Sequence, residues 1–483
     1  MEERHIVSID LGTAKLAITV AKIDGNDVQI IYYKEVPSEG IRYSGILNVK
    51  QVSDRLKELI REAEDALKMK ITQAVVGMPR YAIRQETRQA KMEREGDTCI
   101  EKDEIDYLKK FALDSYPLED AEIDVVYGAV AQSFSNGEVF QAIEEDIIGM
   151  TGKYIEGDFK IFIGKKSSLR NIDLVMNNLN ISAAAKYFTA DSTAKAVLTK
   201  AEMNNGVALI DFGAGCTSVT IYHGNVLRYY ASIPFGGRDI TNDIKTECTI
   251  SKKLAENIKL GFGACMPEKL QSLSEKIILI KSNSTDPNKQ LPVKYLSEII
   301  TARVEEIIMA ILYEIQRSGY ADKLRSGIVV TGGSAQIANL NNFIIDTGGY
   351  NVRTGYARHL FSSSGCNGLG ETSATTSIGM ILKAKDDDIL NCVMNVDEYS
   401  AYKKAEVETA SKEEIEREEE ELVEEGKHHG TLFDKEEMDE IIQEPKKKKT
   451  KPKKQKKENS PISWIKDIAN DLFESISEDE SNK

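Results

Sequence analysis

The sequence predicts an α/β protein built from two related halves, and three glycine-containing stretches support this fold class. Two of them share one plan, in which an apolar strand ends in an aspartate, a glycine turn carries a threonine and a second apolar strand follows; these are 5–20 and 209–222. The third, 327–337, is an apolar strand that runs into paired glycines. A single Asp-Gly turn is also typical of an ordinary β-hairpin, but two copies about 200 residues apart indicate a duplication.

The two hairpins predict a phosphate site between the halves. Glycine lets the backbone approach a phosphate closely, and a carboxylate at a strand end can hold a metal ion through water. We expect the hairpins to face each other across one nucleotide and one metal ion, with the third turn against the base. The residues predicted for this site are Asp10 and Asp211 at the metal, Gly12, Thr13, Lys15, Gly213, Gly215 and Thr217 at the phosphates, and Gly332, Gly333 and Ser334 behind the nucleoside.

Composition narrows the class of protein. A length of 483 residues suffices for two or three domains with a large core, and a net charge of -15 disfavours nucleic acid as a partner. The six cysteines show no CxxC spacing, so reduced thiols are favoured over a zinc site. The charged start predicts no signal peptide, and no apolar run approaches the roughly 20 residues that cross a bilayer, so we expect a cytosolic origin.

In their order, the three stretches resemble the phosphate-1, phosphate-2 and adenosine motifs of the actin, Hsp70 and sugar-kinase superfamily. Further segments resemble the bacterial cell-division actin homologue FtsA, namely 149–152, 233–244 and 254–259. The resemblance covers roughly 5–385 and implies a duplicated actin-like (ribonuclease H-like) core that binds ATP and Mg²⁺. The second hairpin departs from the commoner family pattern at Ala214, Cys216 and Ser218, so nucleotide binding is expected to be retained better than catalysis.

Some roles are implied by the resemblance alone. Asp191 stands where related ATPases carry a residue that orients the attacking water, although an aspartate at a helix start is also an ordinary N-cap. Hydrolysis is expected to be slow, with Asp191 or Asp211 orienting water for in-line attack. The resemblance places Glu256 and Lys259 on ribose and adenine, and a surface ion pair one helical turn apart is the alternative.

Changes in composition along the chain predict the domain boundaries. The first half is expected at 1–79 and 166–205, and the second half at 206–385 with a small subdomain at about 245–303. The charged, irregular segment 80–165 predicts an inserted small α+β subdomain. The resemblance implies an SHS2-like subdomain that contacts neighbouring subunits and later division proteins, and an ordinary insertion without a partner is the alternative.

The resemblance also implies a peptide-binding role for the small subdomain of the second half. In the resembled family this region holds the C-terminal peptide of the division GTPase FtsZ. Lys294 and Arg303 could pair with acidic residues of such a peptide, although exposed basic residues need no partner.

The C-terminal part predicts a linker followed by an anchor. Segment 386–459 is highly charged and contains a lysine run at 445–457, which predicts a disordered tether. Segment 460–477 predicts an amphipathic helix, because Ser460 and Pro461 form a cap and first-turn pair. Its apolar face consists of Ile462, Ile465, Ile468, Ala469, Leu472, Phe473 and Ile476, and Trp464 lies at its flank; all but Ala469 are expected to contact the membrane.

Such a helix suits a membrane surface. An interfacial aromatic residue lies beside the apolar face, and the neighbouring lysines attract anionic lipid by about 1 kcal/mol each. Packing of the helix onto the core or onto a partner is the alternative, and the lysine run alone would also suit nucleic acid or solubility. The resembled family ends in a membrane-targeting helix, which favours the membrane.

The residues and the resemblance together predict an ATP-binding, actin-like cell-division protein, peripheral to the cytoplasmic face of the cell membrane. It is expected to polymerise, to anchor the FtsZ ring, to recruit later division proteins and to be at most a slow ATPase. A chaperone-like or pilus-assembly adaptor is the main alternative. An ATP-dependent small-molecule kinase is disfavoured, because only Asp191 is available as a catalytic base and a membrane tail would have no role.

Overall fold

The first half of the chain is built on a six-stranded mixed sheet. The computed structural model describes residues 3–280, 289–363 and 365–400. Across the first sheet the strands are β11 (Ser182–Tyr187), β7 (Gln73–Gly77), β1 (Arg4–Leu11), β2 (Lys15–Asp24), β3 (Asp27–Pro37) and β19 (Ser362–Ser363). β1 and β2 form the predicted N-terminal hairpin, and β7 pairs with β1 in parallel.

The second half repeats this arrangement in a five-stranded sheet. Across it the strands are β14 (Val226–Ile233), β13 (Thr217–His223), β12 (Val207–Phe212), β17 (Ile328–Thr331) and β18 (Val352–Thr354). In both sheets an antiparallel three-strand meander is followed by two parallel strands that come from later in the chain. The predicted duplication is therefore confirmed.

Helices pack on these two sheets and within the segment that separates the parts of the first half. In chain order they are α1 (Val49–Leu67), α2 (Lys102–Asp114), α3 (Glu144–Ile147), α4 (Lys166–Asn178), α5 (Thr189–Val197), α6 (Lys200–Asn205), α7 (Gly237–Glu247), α8 (Lys252–Phe262), α9 (Val293–Arg317), α10 (Leu340–Gly348) and α11 (Thr375–Asp386). α11 contacts both halves. Its Thr375 hydroxyl lies 3.1 Å from that of Thr331 in β17, and its Thr376 hydroxyl lies 2.9 Å from that of Thr193 in α5. These buried hydroxyl pairs join the halves beside the two hairpins.

α9 is longer than the sequence pattern predicts. The periodicity indicated a helix over 303–316, but α9 begins at Val293, directly after Pro292. Val293, Leu296 and Ile300 extend the buried face by three turns towards the N-terminus. The boundary predicted at about 303 for the small subdomain thus falls inside one continuous helix.

The segment between the parts of the first half forms a separate three-stranded antiparallel sheet. Its strands are, in order across the sheet, β8 (Arg84–Glu93), β10 (Tyr154–Lys165) and β9 (Asp124–Ser135). α2 packs on this sheet, and Phe134 and Phe159 meet edge to face in the core with their ring centroids 6.0 Å apart. We call this part, residues 80–165, the inserted subdomain.

The remaining strands are short: β4 (Ile41–Arg42), β5 (Gly45–Ile46), β6 (Met69–Ile71), β15 (Ile277–Ile280), β16 (Lys289–Pro292) and β20 (Val393–Asn395).

Regular structure continues beyond residue 386, the predicted start of the linker, as far as β20. β20 pairs antiparallel with β6, and the backbone N–H of the buried Cys392 donates to the carbonyl of His5 at 2.7 Å. Backbone pairing to distant strands thus orders a segment whose composition alone indicated a tether.

The predicted terminal helix at 460–477, including Trp464 and the apolar face around it, lies outside the described residues. The same holds for the lysine run at 445–457. Among the residues that the structure does describe, no helix is long and apolar enough to cross a membrane.

Candidate nucleotide-binding site

A narrow cleft with a cavity volume of about 120 Å³ lies where the two halves meet. The cleft is lined by residues of both hairpins and of the third glycine turn. The predicted site residues in its wall are Asp10, Gly12, Thr13, Lys15, Asp211, Gly213, Gly215, Gly332 and Gly333. Residues from three distant parts of the sequence therefore surround one cleft.

The tips of the two hairpins touch each other. A side chain on Gly215 would begin 2.6 Å from the Thr13 hydroxyl oxygen, which is shorter than any normal contact, so only glycine lets the tips approach this closely. Gly332 has φ +91, and a Cβ there would lie 2.6 Å from Oδ1 of Asp211. These two glycines hold the three turns of the cleft in contact.

Two predicted residues support the loops without lining the cleft. The Thr217 hydroxyl is buried and donates to the carbonyl of Phe235 at 2.8 Å. The Ser334 hydroxyl donates to the carbonyl of Gly213 at 3.2 Å. Their expected direct contacts with phosphate and nucleoside therefore remain predictions, whereas the structure gives both a role in fixing the second hairpin.

The carboxylates of Asp10 and Asp211 are buried at the floor of the cleft. Burial raises the pKa of Asp10, and the nearby charges of Arg80 and Lys15 act in the opposite direction. Among the described residues no group of three or more His, Cys, Asp or Glu side chains could hold a metal ion. That Asp10 and Asp211 hold a divalent ion through water stays a prediction.

Arg80 is a site residue that the sequence analysis missed. Its guanidinium forms an ion pair with Oδ2 of Asp211 and donates a second hydrogen bond to the Thr376 hydroxyl at 3.0 Å. Burial would lower the pKa of Arg80, but Asp211 and Asp10 outweigh it and raise that pKa. The sequence gives no local signal for this contact, because 131 residues separate Arg80 from Asp211.

Lys15 lies at the rim of the cleft with several partners of its own. Its ammonium donates to the Ser373 hydroxyl at 2.9 Å and to the Tyr33 hydroxyl at 3.3 Å, and it forms an ion pair with Glu35. The charge predicted to offset phosphate is therefore already shared with a carboxylate.

Glu256 and Lys259 form the ion pair that the sequence offered as the alternative, with 2.8 Å between Oε2 and Nζ. Lys259 also donates to the carbonyl of Gly237 and to the Thr241 hydroxyl, both at 2.9 Å. Burial lowers the pKa of Lys259, and Glu256 acts in the opposite direction. Since Gly237 packs directly against Ser334, the pair lies near the third turn, and its contact with ribose and adenine stays a prediction.

Asp191 does not line the cleft. Its carboxylate accepts hydrogen bonds from the Tyr222 hydroxyl at 3.1 Å and from Lys383 at 2.6 Å, beside a second cavity that borders the inserted subdomain. Nor is it an N-cap, because α5 is capped by Phe188. The geometry gives no support to the water-orienting role predicted for Asp191.

Lys294 and Arg303 do not form one binding surface. They are nine residues apart on α9, which at 100° per residue places them on opposite faces of the helix. Arg303 is engaged within the chain by Asp243 at 2.6 and 3.1 Å and by Glu306 at 2.6 Å, while Lys294 is exposed. A shared contact with one acidic peptide is therefore not supported.

The repeated sheets and the cleft between their hairpins define an actin-like ATPase fold. The solved PilM–PilN type IV pilus biogenesis complex contains a chain of this fold, which superposes with a TM-score of 0.54 at 13% identity, over 78% of this chain and 98% of that one. That likeness shows the fold alone.

Sequence comparisons then identify the particular relatives. The family model "Cell division protein FtsA" matches residues 208–379. Relatives of that name are 27% identical in Borreliella burgdorferi, over 82% of this chain and 94% of the relative, and 25% identical in Bacillus subtilis, over 78% and 82%. The resemblance predicted from the motifs is confirmed, because over most of its length the chain is similar to proteins named cell division protein FtsA.

Proposed function

We propose that this protein binds ATP in the cleft and acts in bacterial cell division as a polymer at the cytoplasmic face of the membrane. In this role it anchors the FtsZ ring and recruits later division proteins. The observation that carries the nucleotide part is the contact between the hairpin tips, where Gly215 lies against Thr13 at the wall of the cleft. The family likeness supports the part in cell division.

The residues of the cleft suit a nucleotide with its phosphates between the hairpins. Backbone N–H groups at Gly12, Thr13 and Gly215 are the kind of donor that binds phosphate oxygens. The N–H of Gly213 instead donates to the carbonyls of Asp211 and Cys216, both at 3.2 Å. Gly332 and Gly333 leave room for a flat nucleoside against the third turn. Asp10 and Asp211 would hold Mg²⁺ through water, which would neutralise part of the phosphate charge.

Slow hydrolysis is the most that this site supports. Asp211 is the remaining candidate to orient water, because the carboxylate of Asp191 is bonded to Tyr222 and Lys383 outside the cleft. We therefore infer that the nucleotide acts chiefly as a conformational switch, for which two halves joined at one cleft are well suited.

The membrane part rests on segment 460–477 and is tested by co-sedimentation with anionic liposomes. The full chain, a truncation ending at residue 458 and the full-length Trp464→Glu variant are compared, each with and without Mg-ATP and FtsZ. The truncation keeps the lysine run and removes the whole predicted helix, whereas Trp464→Glu changes one residue beside its apolar face. We expect only the unaltered full chain to sediment and to carry FtsZ down.

Two outcomes would count against this proposal. If the truncation and Trp464→Glu both sediment as well as the full chain does, the anchor lies outside the helix. If all forms stay in the supernatant, membrane tethering is wrong and the adaptor alternative takes its place.

A further inference from the structure

Arg80 places a permanent positive charge in the cleft from outside the three glycine turns. It lies three residues after the end of β7, following Met78 and Pro79. Its side chain is 14% exposed, and that of its partner Asp211 is 8% exposed. Because arginine stays protonated at any physiological pH, this charge is present whether or not a metal ion is bound.

The backbone of Arg80 is tied to both halves of the chain. Its N–H donates to the Ser44 hydroxyl at 3.3 Å, and the N–H of Ser44 in turn donates to the Thr13 hydroxyl at 3.0 Å. On the other side, the hydroxyl of Tyr230 in β14 donates to the carbonyl of Arg80. The guanidinium is therefore held between the halves by backbone contacts that do not depend on its own ion pair.

The negative charges in the cleft need a positive partner, and the guanidinium of Arg80 can supply it. Asp10 and Asp211 place two carboxylates where a polyphosphate would bring further negative charge. Lys15, at the rim, is already paired with Glu35. The planar fork of arginine can bind two oxygens at once, and carboxylate and phosphate suit it equally well.

Building on the proposed nucleotide function, we propose that Arg80 binds the nucleotide's phosphates and supplies part of the charge neutralisation that a divalent ion would otherwise provide. When the nucleotide enters, the guanidinium turns from Asp211 towards phosphate oxygens while Thr376 continues to hold its other nitrogen. Nucleotide binding then depends less on Mg²⁺ than it would without Arg80.

The test is a titration of the full chain with N-methylanthraniloyl-ATP, in Mg²⁺ and in EDTA, for the wild type, Arg80→Gln and Arg80→Lys. We expect Arg80→Gln to weaken binding about tenfold or more in EDTA and less in Mg²⁺, as loss of a charge-assisted hydrogen bond implies. Arg80→Lys should fall between the two, because it keeps the charge and loses the fork. The matched control is Arg84→Gln, whose arginine pairs with Asp124 in the inserted subdomain.

A second variant separates phosphate binding from simple neutralisation of Asp211. Arg80→Gln with Asp211→Asn removes both charges of the pair, which also avoids a buried unpaired carboxylate if Arg80→Gln fails to fold. We expect the double variant to stay about tenfold weaker than the wild type in EDTA. Recovery of wild-type affinity would overturn the proposal, because Arg80 would then serve only as the partner of Asp211.

Other outcomes separate this inference from the function on which it rests. Unchanged or tighter binding by Arg80→Gln in both buffers also overturns it, while nucleotide binding by the protein stands. If the wild type itself does not bind the analogue in Mg²⁺, the proposed nucleotide function is wrong, and the inference about Arg80 is wrong with it.

Discussion

At the scale of single residues, the cleft depends on the contact between Gly215 and Thr13, which leaves no room for a side chain at position 215. Gly215→Ala would place a methyl group within 2.6 Å of the Thr13 hydroxyl and side-chain methyl. Overpacking of this kind costs about 1–3 kcal/mol, and the hairpin tips must separate to relieve it. We expect affinity for N-methylanthraniloyl-ATP to fall by about tenfold.

The matched control for Gly215→Ala is Gly128→Ala in the inserted subdomain, where an added Cβ meets nothing within 4 Å. That variant should bind the nucleotide as the wild type does. Equal affinity of Gly215→Ala and Gly128→Ala would contradict a phosphate site at the hairpin tips.

The residues that form the cleft were predictable where the signal is local. An aspartate, a glycine turn and a threonine within a few positions identify each hairpin, and the structure brings both to one cleft. Arg80 was not predictable, because its partner Asp211 is set by the meeting of two sheets. Asp191 was assigned by its place in the chain, and the fold turns it towards Tyr222 and Lys383.

At the scale of elements, one carboxylate connects a helix of the first half to an edge strand of the second. Glu202 accepts from the N–H of Thr199 at the start of α6 at 2.8 Å, and it pairs with Arg353 of β18 at 2.8 and 2.9 Å. Burial would raise the pKa of Glu202, but hydrogen bonds from Arg353 and Thr199 outweigh it and lower that pKa. The ionised form is therefore the one that stabilises the fold.

This lowered pKa fixes the direction of a pH effect. The stabilisation by Glu202 is fully present above the unfolded-state pKa, near the ordinary value of 4.5, and is lost as the pH falls through the lower folded-state pKa. We expect Glu202→Gln to reduce the free energy of unfolding by about 1–2 kcal/mol at neutral pH, a range reduced for the partial exposure of Arg353. Melting temperatures between pH 7 and pH 3 should show the gap from the wild type closing on acidification.

The control for this measurement is Glu305→Gln, at an exposed position of α9. The melting temperature of Glu305→Gln should follow that of the wild type at every pH. A constant gap between Glu202→Gln and the wild type down to acid pH would rule out the ionised Glu202 as its cause.

The type of a helix or strand was easier to predict from the sequence than its first and last residues. Periodicity identified α9 but placed its start at 303, although Val293, Leu296 and Ile300 continue the same buried face. Strand β20 lies in a segment of charged composition, and only its pairing with β6 makes it a strand. The spacing of apolar residues within a segment predicts one face of a helix. It does not predict pairing such as that of β20 with β6, beside which Thr72 contacts Cys392 across 320 residues of sequence.

At the scale of the whole molecule, the inserted subdomain is fixed to the second half through β9 and β14. Arg228 donates to the carbonyl of Gln132 at 2.7 Å and to that of His223 at 3.0 Å, while Lys160 donates to the carbonyl of Arg228. Gln132 returns a bond to the carbonyl of Leu227 at 2.9 Å. These contacts set the position of the inserted subdomain.

Arg228→Ala should loosen this attachment, because it leaves two carbonyl groups without their charged donor. We expect faster amide hydrogen exchange in β9 near Gln132, with the core of the inserted subdomain around Phe159 unchanged. Arg170→Ala, at an exposed position on α4, is the control and should leave exchange in β9 as it is. Unchanged exchange in β9 of Arg228→Ala would mean that other contacts hold the subdomain.

The duplicated architecture was predictable from two hairpins about 200 residues apart, because each copy carries its own local signal. The docking of the inserted subdomain was not, since it depends on backbone carbonyls whose position no side-chain pattern records. The two halves and the cleft between them were therefore predictable from the sequence, whereas the attachment of the inserted subdomain was not.

Strand β20 also decides where mechanical load would enter the fold. Its three residues pair with β6, and the Cys392 N–H is bonded to the carbonyl of His5 in β1. A pull applied to the chain beyond Asn395 would therefore act on β6 and on the base of β1. Because β1 carries Asp10 at its opposite end, such a pull and the geometry of the cleft would share one strand.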